Sequence, residues 1–397
     1  MRKALSVVGL LLATLIFLVT LYVVDPFQAA RKVLTAGFGA GPEWTQVEQV
    51  FLNPETQETT KGEQPLVSFA KLAETWSRNP DAKRICLLGN SQMLATVLAP
   101  GEQLVNQPEK TYPDFLYEHY RKPGEPGLNL YRLAAPNLSY MEALWYLYYL
   151  LESPNLKPDG IVLQLNYESF RKTGIRDGML SMLADERFAG RMRQVTAREK
   201  PYAGVFEQAI RRYQDRQAEV SASKTSHTGL QAGLGFGHLL ELAVRGILGN
   251  VPRYKDRHEV KYSLVQLLYL SRVYLLHLKP TTPRSIGGAA LDLSRGSVEE
   301  IASLCRDRNI RLVLLNAAQN PLAPLYKTEN DRRRYSDVIH QLADSYHLKL
   351  YDFENSIPAQ YWGVWVDGPD PIHFGRAGHH MMANLIIQSS VVAPSVN

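Results

Sequence analysis

The residues in this sequence that are best suited to chemistry are a serine, an aspartate and a histidine. Ser91 stands just after the short apolar run 84–88, and Asp370 and His373 form an Asp-x-x-His segment near the C-terminal end. An Asp three residues before a His can hold the imidazole in the tautomer that takes a proton from a serine hydroxyl. These residue types predict nucleophilic acyl chemistry through a Ser–His–Asp triad.

Neither motif is specific when it is taken alone. A Gly-Asn-Ser segment is also a common turn, and an Asp-x-x-His segment also occurs in surface loops and in partial metal sites. The sequence holds no cluster of His, Cys and Asp with zinc spacing, so no metal and no cofactor are predicted. The chain order Ser, Asp, His, with the serine early and the other two late, favours catalysis over these plainer interpretations.

Short apolar runs that alternate with helical patterns must position these residues. The runs that predict buried strands are 84–88, 128–133, 161–165, 310–315 and 348–353. Helical patterns cover 140–151, 298–307, 331–347 and 377–387. This alternation predicts an α/β fold, a three-layer doubly wound parallel five-stranded sheet with helices on both faces. Ser91 would then lie at the carboxyl end of the first strand, where ligands bind in open sheets of this class.

The segment between the third and fourth predicted strands is far longer than a crossover needs. Residues 171–296 are therefore expected to form a large helical insertion into an α/β domain made of 82–170 and 297–390. Helical patterns within the insertion cover 203–219, 239–249 and 260–278. Its first part is basic. Two interpretations remain open: a lid or membrane-facing cap, and an ordinary helical subdomain with its own core.

The N-terminal end is a candidate membrane anchor. Arg2 and Lys3 precede an apolar run from residue 4 to residue 24, long enough to cross about 30 Å of hydrocarbon as a helix. The positive-inside rule predicts a cytoplasmic N-terminus, which places the remainder on the periplasmic or extracellular side. We therefore expect a single-pass anchor at 1–32 and a membrane-proximal segment at 33–81, with the lipid bilayer as a partner. Cleavage after a small-residue site near the end of this anchor is the alternative.

Composition excludes several classes of protein. The 397 residues include 44 Lys and Arg against 39 Asp and Glu, and this net charge of +5 is too mild to indicate nucleic acid as a partner. The hydrophobic share of 45% is typical of a globular protein. With only two cysteines, Cys86 and Cys305, a disulfide-stapled scaffold and a Cys-rich zinc site are excluded. Both are expected to be buried thiols, with one long-range disulfide as the alternative.

The Gly-Asn-Ser block after the first strand and the Asp-x-x-His block before the last helix resemble the SGNH/GDSL hydrolase superfamily. The resemblance covers 82–170 and 297–390 and leaves the insertion out. It implies a flavodoxin-like sheet of the SGNH-hydrolase type. It also implies that Ser91 is the nucleophile, His373 the general base and Asp370 the carboxylate that orients the base.

The same resemblance implies two further contributors, which would form an oxyanion hole. Asn137 stands where the superfamily has a glycine whose N–H serves the oxyanion, and Asn166 matches the asparagine whose side chain completes the hole. The glycine that usually lies two residues before that asparagine is Gln164 here. Asn316 and Asn320, after the fourth strand, compete with Asn166 for the role. Asn166 could also serve only as a turn former at the end of its strand.

The layout is most similar to membrane-anchored extracytoplasmic members, such as the D-alanylation protein of lipoteichoic acid synthesis and the alginate O-acetylation proteins. These members work beside membrane-bound O-acyltransferases. The resemblance implies a serine-dependent acyl-ester transferase or esterase that acts on a cell-envelope polysaccharide, glycan or lipid. A non-catalytic scaffold that partners a membrane-bound O-acyltransferase is the alternative. Transfer and hydrolysis share an acyl-serine intermediate, so the sequence does not separate them.

Aromatic residues stand close before Asp370. Trp362 and Trp365 are candidate substrate-binding residues, because aromatic faces can form a wall beside a sugar. Core packing and anchoring of the loop are the alternative interpretation for both residues.

Overall fold

The computed structural model of the protein describes a defined set of residues. They are 50–52, 59–61, part of 69–77, 81–94, 110–120, 128–226 apart from 154, 285–323, 328–365 and 368–392. Apart from 222–226, they belong to one compact unit of 43–221 and 280–397. The predicted anchor at 1–32 and the predicted helices at 239–249 and 260–278 lie outside the described residues. Within the described residues, no helix is long and apolar enough to cross a membrane.

A seven-stranded sheet forms the centre of the described structure. Its strands, in chain order, are β1 Val50–Leu52, β2 Thr59–Lys61, β3 Lys83–Gly89, β4 Leu128–Ala134, β5 Gly160–Leu165, β6 Arg311–Asn316 and β7 Lys349–Asp352. In space they follow the order β2-β1-β4-β3-β5-β6-β7. Strands β3 to β7 pair in parallel, whereas β1 is antiparallel to both β4 and β2.

The five parallel strands confirm the predicted doubly wound sheet. Counted along the chain, their spatial order is 2-1-3-4-5, which is the flavodoxin-like order. Strands β3, β5 and β6 are apolar runs buried over most of their length, as strands covered on both faces must be. Strands β1 and β2 are not predicted from the sequence, because three-residue strands are too short to carry a recognisable pattern.

Helices cover both faces of the sheet and give the predicted three layers. They are α1 Tyr112–Tyr120, α2 Tyr140–Glu152, α3 Tyr167–Arg171, α4 Glu186–Thr196, α5 Ala203–Ser226, α6 Gly288–Asp307, α7 Glu329–Ser345 and α8 Arg376–Gln388. Helices α1 and α8 pack on one face, and α2, α6 and α7 pack on the other. Alternation along β3 serves both layers: Cys86 and Leu88 join the core under α2, while Leu87 joins the core under α1 and α8.

Helix α2 is the centre of the larger core. It begins with a capping box, in which Ser139 and Glu142 each satisfy a backbone N–H of the other. Its aromatic side chains are all buried, namely Tyr140, Trp145, Tyr146, Tyr148 and Tyr149. The Trp145 ring packs edge-on against Phe188 of α4 and Phe206 of α5, with centroid distances of 5.1 Å in both cases. Core packing therefore explains this aromatic cluster.

The first part of the predicted insertion shares that core. Its buried side chains pack in the same cluster as α2, among them Ile175, Met179, Met192, Val195 and Tyr202. The segment 171–209 is thus continuous in packing with the α/β domain, because α2 could not be covered without it. For residues 227–284, which the structure does not describe, the insertion and its possible function as a cap stay a prediction.

Both cysteines are buried in this core and are free thiols. Burial raises the pKa of Cys305 to about 12 and raises the pKa of Cys86 well above its ordinary value. Of the two alternatives from the sequence, the structure therefore supports the inert thiols, since a buried and protonated thiol is a poor nucleophile.

Candidate active site

Ser91 lies in a tight turn at the carboxyl end of β3. Asn90 caps a short 3₁₀ helix, Ser91–Met93, because its side chain accepts a hydrogen bond from the Gln92 N–H at 3.0 Å. The N–H of Asn90 is held in turn by the side chain of Gln164 in β5, at 3.1 Å. The turn fixes Ser91 at the first helical position, where it keeps 9% of its exposure.

Asp370 and His373 lie on the second strand of a β-hairpin. The strands β8 Trp362–Trp365 and β9 Gly368–Phe374 pair antiparallel as a small second sheet. The two prolines of this segment suggest a loop. However, the fixed φ of proline also fits an edge strand in which its missing N–H has no ladder partner to lose.

Asn320 anchors this hairpin to the main sheet. It follows β6, and its side-chain amide donates to the carbonyl of Asp370 at 2.8 Å. Its backbone N–H donates to the carbonyl of Pro371 at 3.3 Å. The strand that carries the acid and the imidazole is therefore tied to the end of a central strand.

The structure brings Ser91, His373 and Asp370 together in one chain of hydrogen bonds. His373 Nε2 lies 3.0 Å from Ser91 Oγ, and His373 Nδ1 lies 2.9 Å from Asp370 Oδ2. A carboxylate only accepts hydrogen bonds, so Nδ1 carries the proton and Nε2 accepts from the serine hydroxyl. A serine nucleophile with an oriented histidine base needs this arrangement.

Asp370 is fully buried, yet its surroundings favour its charged form. Burial on its own raises the pKa of a carboxyl group. The charge and hydrogen bond of His373 oppose that effect, as do the N–H groups of Ile372 and His373, which donate to Oδ1 at 2.7 and 2.9 Å. The net result is a lowered pKa for Asp370. An ionised Asp370 can then stabilise an imidazolium.

Asn166 caps the short helix α3 at the carboxyl end of β5. Its Oδ1 accepts from the Ser169 N–H at 2.9 Å, so the amide is oriented with Nδ2 on the other side. That Nδ2 is buried and, within the described part of the chain, has no hydrogen-bond partner. An unsatisfied buried donor costs about 1–3 kcal/mol, so it calls for a functional explanation.

Strand register places Asn166 level with Ser91. Strands β3 and β5 are neighbours in the sheet, and Leu88 pairs with Leu163. Ser91 and Asn166 each follow their member of this pair by three residues. Because the strands are parallel neighbours, both residues emerge at the same edge of the sheet.

The two competitors of Asn166 are engaged elsewhere. Asn316 donates to Asp352 at 2.8 Å and accepts from the Tyr335 hydroxyl at 2.6 Å. Asn320 uses its amide on the carbonyl of Asp370. Of the three asparagines, Asn166 is therefore the one whose amide N–H₂ is available to a ligand.

Asn137 lies in the loop after β4, next to the turn of β3. Its φ is 53°, in the left-handed region that glycine and asparagine adopt more readily than other residues. This conformation explains how an asparagine fills the position that the resemblance assigns to glycine. The side chain is exposed, so the backbone N–H is the group that this position offers to an oxyanion.

A clamp from the predicted insertion holds the same loop. Arg176 makes a two-point contact with Glu142, from Nε and Nη2 at 2.8 Å each, and Nη2 also donates to the carbonyl of Pro136 at 3.2 Å. The Ser139 hydroxyl donates to the carbonyl of Gly174 at 3.1 Å. The segment 174–176 thus fixes both flanks of the loop.

Trp362 is a correction to the expected substrate-binding pair. It is 1% exposed, its indole N–H donates to the carbonyl of Ile357 at 3.0 Å, and its ring packs on Phe374 at 4.6 Å. A ring covered on both sides by protein cannot stack on a sugar, so Trp362 anchors the hairpin to the core. The side chain of Trp365 lies outside the described residues, and its substrate-binding role stays a prediction.

Four polar residues hold the site in a way that the sequence did not predict, although Asn320 and Gln164 were considered in other connections. Asn320, Arg176, Gln92 and Gln164 all donate to backbone or side-chain acceptors around it. Gln164 carries a usable signal, because a glutamine inside an apolar parallel strand must find a buried partner.

In the part of the chain that the structure describes, no group of three or more His, Cys, Asp or Glu could hold a metal ion.

The similarity of this chain to known proteins is found at the level of solved structures. No family model matches the chain, and no curated protein matches it. Among solved structures, the chain is similar to an α/β hydrolase enzyme from the metagenome of Lake Arreo, Spain, with 13% identity and a TM-score of 0.36 over 79% of this chain and 97% of that chain. It is also similar to an acetylxylan esterase from Geobacillus stearothermophilus, with 10% identity and a TM-score of 0.34 over 77% of this chain and 93% of that chain.

The lowered pKa of Asp370 predicts a specific acid sensitivity. A carboxyl group whose pKa is lower in the folded than in the unfolded state stabilises the fold above the unfolded pKa, about 3.9 for Asp. That contribution is lost as the pH falls through the folded pKa. We expect the free energy of unfolding of the wild type to fall more steeply below about pH 4 than that of Asp370→Asn, which cannot ionise. Urea unfolding from pH 7 to pH 3 measures this, and parallel curves would contradict it.

Proposed function

We propose that the chain is a serine-dependent acyl-ester enzyme of the SGNH-hydrolase type, an esterase or an acyltransferase that works through an acyl-Ser91 intermediate. One observation carries the proposal: the continuous hydrogen-bonded chain from Ser91 Oγ through His373 to the buried Asp370. A serine hydroxyl is a poor nucleophile near neutral pH, and a base about 3 Å away corrects this.

In the proposed reaction, His373 Nε2 takes the proton of Ser91 as Oγ forms a bond to the acyl carbon of an ester. The carbonyl oxygen becomes an oxyanion. As the tetrahedral intermediate collapses, the bond to the leaving alcohol breaks, and His373 returns the proton to that alcohol. An acceptor hydroxyl then attacks the acyl-serine by the same steps. Water as acceptor gives hydrolysis, and a sugar or lipid hydroxyl gives transfer.

Three donors are proposed to stabilise the oxyanion. They are the N–H of Ser91 at the start of its helix, the N–H of Asn137 and the side chain of Asn166. The Nδ2 of Asn166, which has no hydrogen-bond partner among the described residues, supports this assignment, because an acyl oxygen arriving at Ser91 would give it an acceptor. Donors of this kind act most strongly when the oxygen carries charge, so they accelerate the reaction rather than only bind the substrate.

The proposed substrate is an acyl ester on a cell-envelope polysaccharide, glycan or lipid, and a membrane-bound O-acyltransferase is the proposed partner. We propose that the enzyme is anchored in the cytoplasmic membrane with its catalytic domain on the periplasmic or extracellular side. The apolar run at 4–24, which follows Arg2 and Lys3, supports this location. The triad is compatible with both transfer and hydrolysis.

Replacing Ser91 or His373 by alanine should lower the rate on a short aryl acyl ester by several powers of ten, because the remaining groups cannot generate the nucleophile. A fluorophosphonate probe should label the wild type at Ser91, as read by peptide mass spectrometry, and should not label Ser91→Ala.

The matched controls lie on the exposed face of α7. Ser345→Ala and His340→Ala change the same residue types away from the site and should behave as the wild type. If Ser91→Ala kept full activity and full biological function, the enzyme hypothesis would be wrong. The alternative, a non-catalytic scaffold that recruits an acyltransferase, would then be favoured.

Asn166→Asp should separate the two roles of Asn166. An aspartate keeps the acceptor that caps α3 but has no N–H₂ to offer an oxyanion. We expect a melting temperature near that of the wild type and a kcat lowered by about 10²–10³, with a smaller change in KM. Asn330→Asp, at an exposed site on α7, is the control. A variant at 166 with wild-type kcat would remove Asn166 from the proposed site.

The proposed location predicts the side of the membrane on which the C-terminus lies. Alkaline phosphatase fused to the C-terminus of the full chain should be active, because that enzyme needs an extracytoplasmic environment to form its disulfides. A fluorescent protein that matures only in the cytoplasm should stay dark at the same position. The reverse pattern would overturn the location without touching the proposed chemistry.

A further inference from the structure

Two buried glutamines lie beside the proposed site and take no part in the reaction described above. Gln92 directly follows Ser91, and Gln164 lies in β5, two residues before Asn166. Each is 1% exposed. Their side chains are in direct contact, since Gln164 Nε2 donates to Gln92 Oε1 at 2.7 Å.

Hydrogen bonding fixes the orientation of both amides. Gln92 Nε2 lies 2.8 Å from the carbonyl of Ile372 and 3.0 Å from that of Ala318. Carbonyls only accept, so the N–H₂ of Gln92 must face them and its Oε1 must face Gln164. Gln164 then presents its own N–H₂ to Gln92, and its Oε1 accepts from the N–H of Asn90 at 3.1 Å.

This pair of amides joins the segments that carry the reacting groups. One end holds Asn90, the residue before Ser91, and the other end holds Ile372, the residue before His373. The residue before the serine and the residue before the imidazole are therefore bound to the same hydrogen-bonded bridge. The small backbone of Gly89 admits the bridge, because a Cβ there would overlap the Oε1 of Gln164.

Packing alone does not explain two amides at this point. The bridge buries four polar groups that apolar side chains of similar length would not bring, and each of them would be destabilising if it lost its hydrogen-bond partner. Such a network constrains geometry more than an apolar contact does, because every member allows only one orientation.

We propose that Gln92 and Gln164 are positioning residues that set the distance and angle between Ser91 Oγ and His373 Nε2. This inference rests on the proposed function. The bridge acts through the turn of Ser91 and the strand of His373, and it does not touch the acyl group.

Gln92→Glu is the sharpest test, because it keeps the shape and removes the donors. In this variant an ionised carboxylate at position 92 would face two carbonyl oxygens, whereas a protonated carboxyl group could still donate to one of them. We expect kcat to fall by about tenfold to a hundredfold at alkaline pH, as a misplacement of about 1 Å does, with KM within about threefold. The ratio of variant kcat to wild-type kcat should rise as the pH is lowered.

Taking this ratio removes the pH dependence that the two proteins share. His373 and Asp370 on β9 and Arg132 on β4, whose side chain donates to the carbonyl of Met93, are the same in both proteins. Gln208→Glu adds the same charge on the exposed part of α5 and should leave kcat and its pH profile unchanged. The low-field proton resonance of His373 Nδ1–H, followed by NMR, gives a readout that needs no substrate and should shift in Gln92→Glu only.

A second variant keeps the test decisive if Gln92→Glu does not fold. Gln164→Met retains a flexible chain of similar length but cannot hold Asn90 or Gln92. A folded Gln164→Met with lowered kcat and near wild-type KM supports positioning. A lowered melting temperature with unchanged kcat, KM and His373 resonance would show a merely structural role and overturn it.

Measurements on the wild type distinguish failure of the positioning role from failure of the proposed function. If wild-type Ser91 is labelled by the fluorophosphonate and the glutamine variants keep wild-type kcat, the positioning inference fails and the proposed function stands. If the wild type is neither labelled nor active, the proposed function fails, and this inference falls with it.

Discussion

The hydrogen bond between Ser91 Oγ and His373 Nε2 joins the turn after β3 to a hairpin near the end of the chain, and the site is arranged around this contact. The hairpin is not part of the main sheet, so no shared ladder fixes its position over that turn. Two side-chain amides and one backbone N–H supply the connection instead. Asn320 and Gln92 bind the carbonyls of three consecutive hairpin residues, those directly before His373. A reacting pair that depends on a separation of 3.0 Å is thus held by polar contacts with fixed directions rather than by apolar packing alone.

Parallel register supplies the remaining groups. In the order β4-β3-β5, the strand that precedes Ser91 lies between the strands that precede Asn137 and Asn166. All three strands end at the same edge of the sheet, because they are parallel and in matched register. This is the switch point of a flavodoxin-like sheet, where connections leave in opposite directions and open a crevice. A ligand in that crevice could be reached from both sides by donors that the backbone has already placed.

The sequence predicted the elements whose formation depends on neighbouring residues, such as the buried strands. Buried parallel strands are short apolar runs, so β3, β5 and β6 could be recognised, and with them the position of Ser91 at a strand end. The hairpin could not be recognised, because its two prolines are typical of a loop and the residues that it contacts lie far away in sequence. The same limit explains Trp362, whose burial depends on Phe374 and Ile357 in the folded chain. Polar partners such as Gln92 and Asn320 are recognised only once tertiary structure brings their acceptors near, since a glutamine or asparagine carries no periodic signal.

The side-chain N–H₂ of Asn166 is buried without an acceptor among the described residues, and this points to a role in binding a ligand. In an interior of low dielectric, polar contacts strengthen and unpaired polar groups cost more. The protein meets this cost at Asp370, a fully buried carboxylate with bonds to His373 and to two backbone N–H groups. At Asn166 the amide oxygen is satisfied by Ser169, whereas the nitrogen has no partner among the described residues. A neutral ester carbonyl would accept weakly from this nitrogen, and an oxyanion would accept strongly. In the free protein, the buried N–H₂ of Asn166 therefore costs a small amount of free energy. This cost would be relieved most fully when an oxyanion forms in the transition state. A donor that binds the transition state more strongly than the substrate raises kcat.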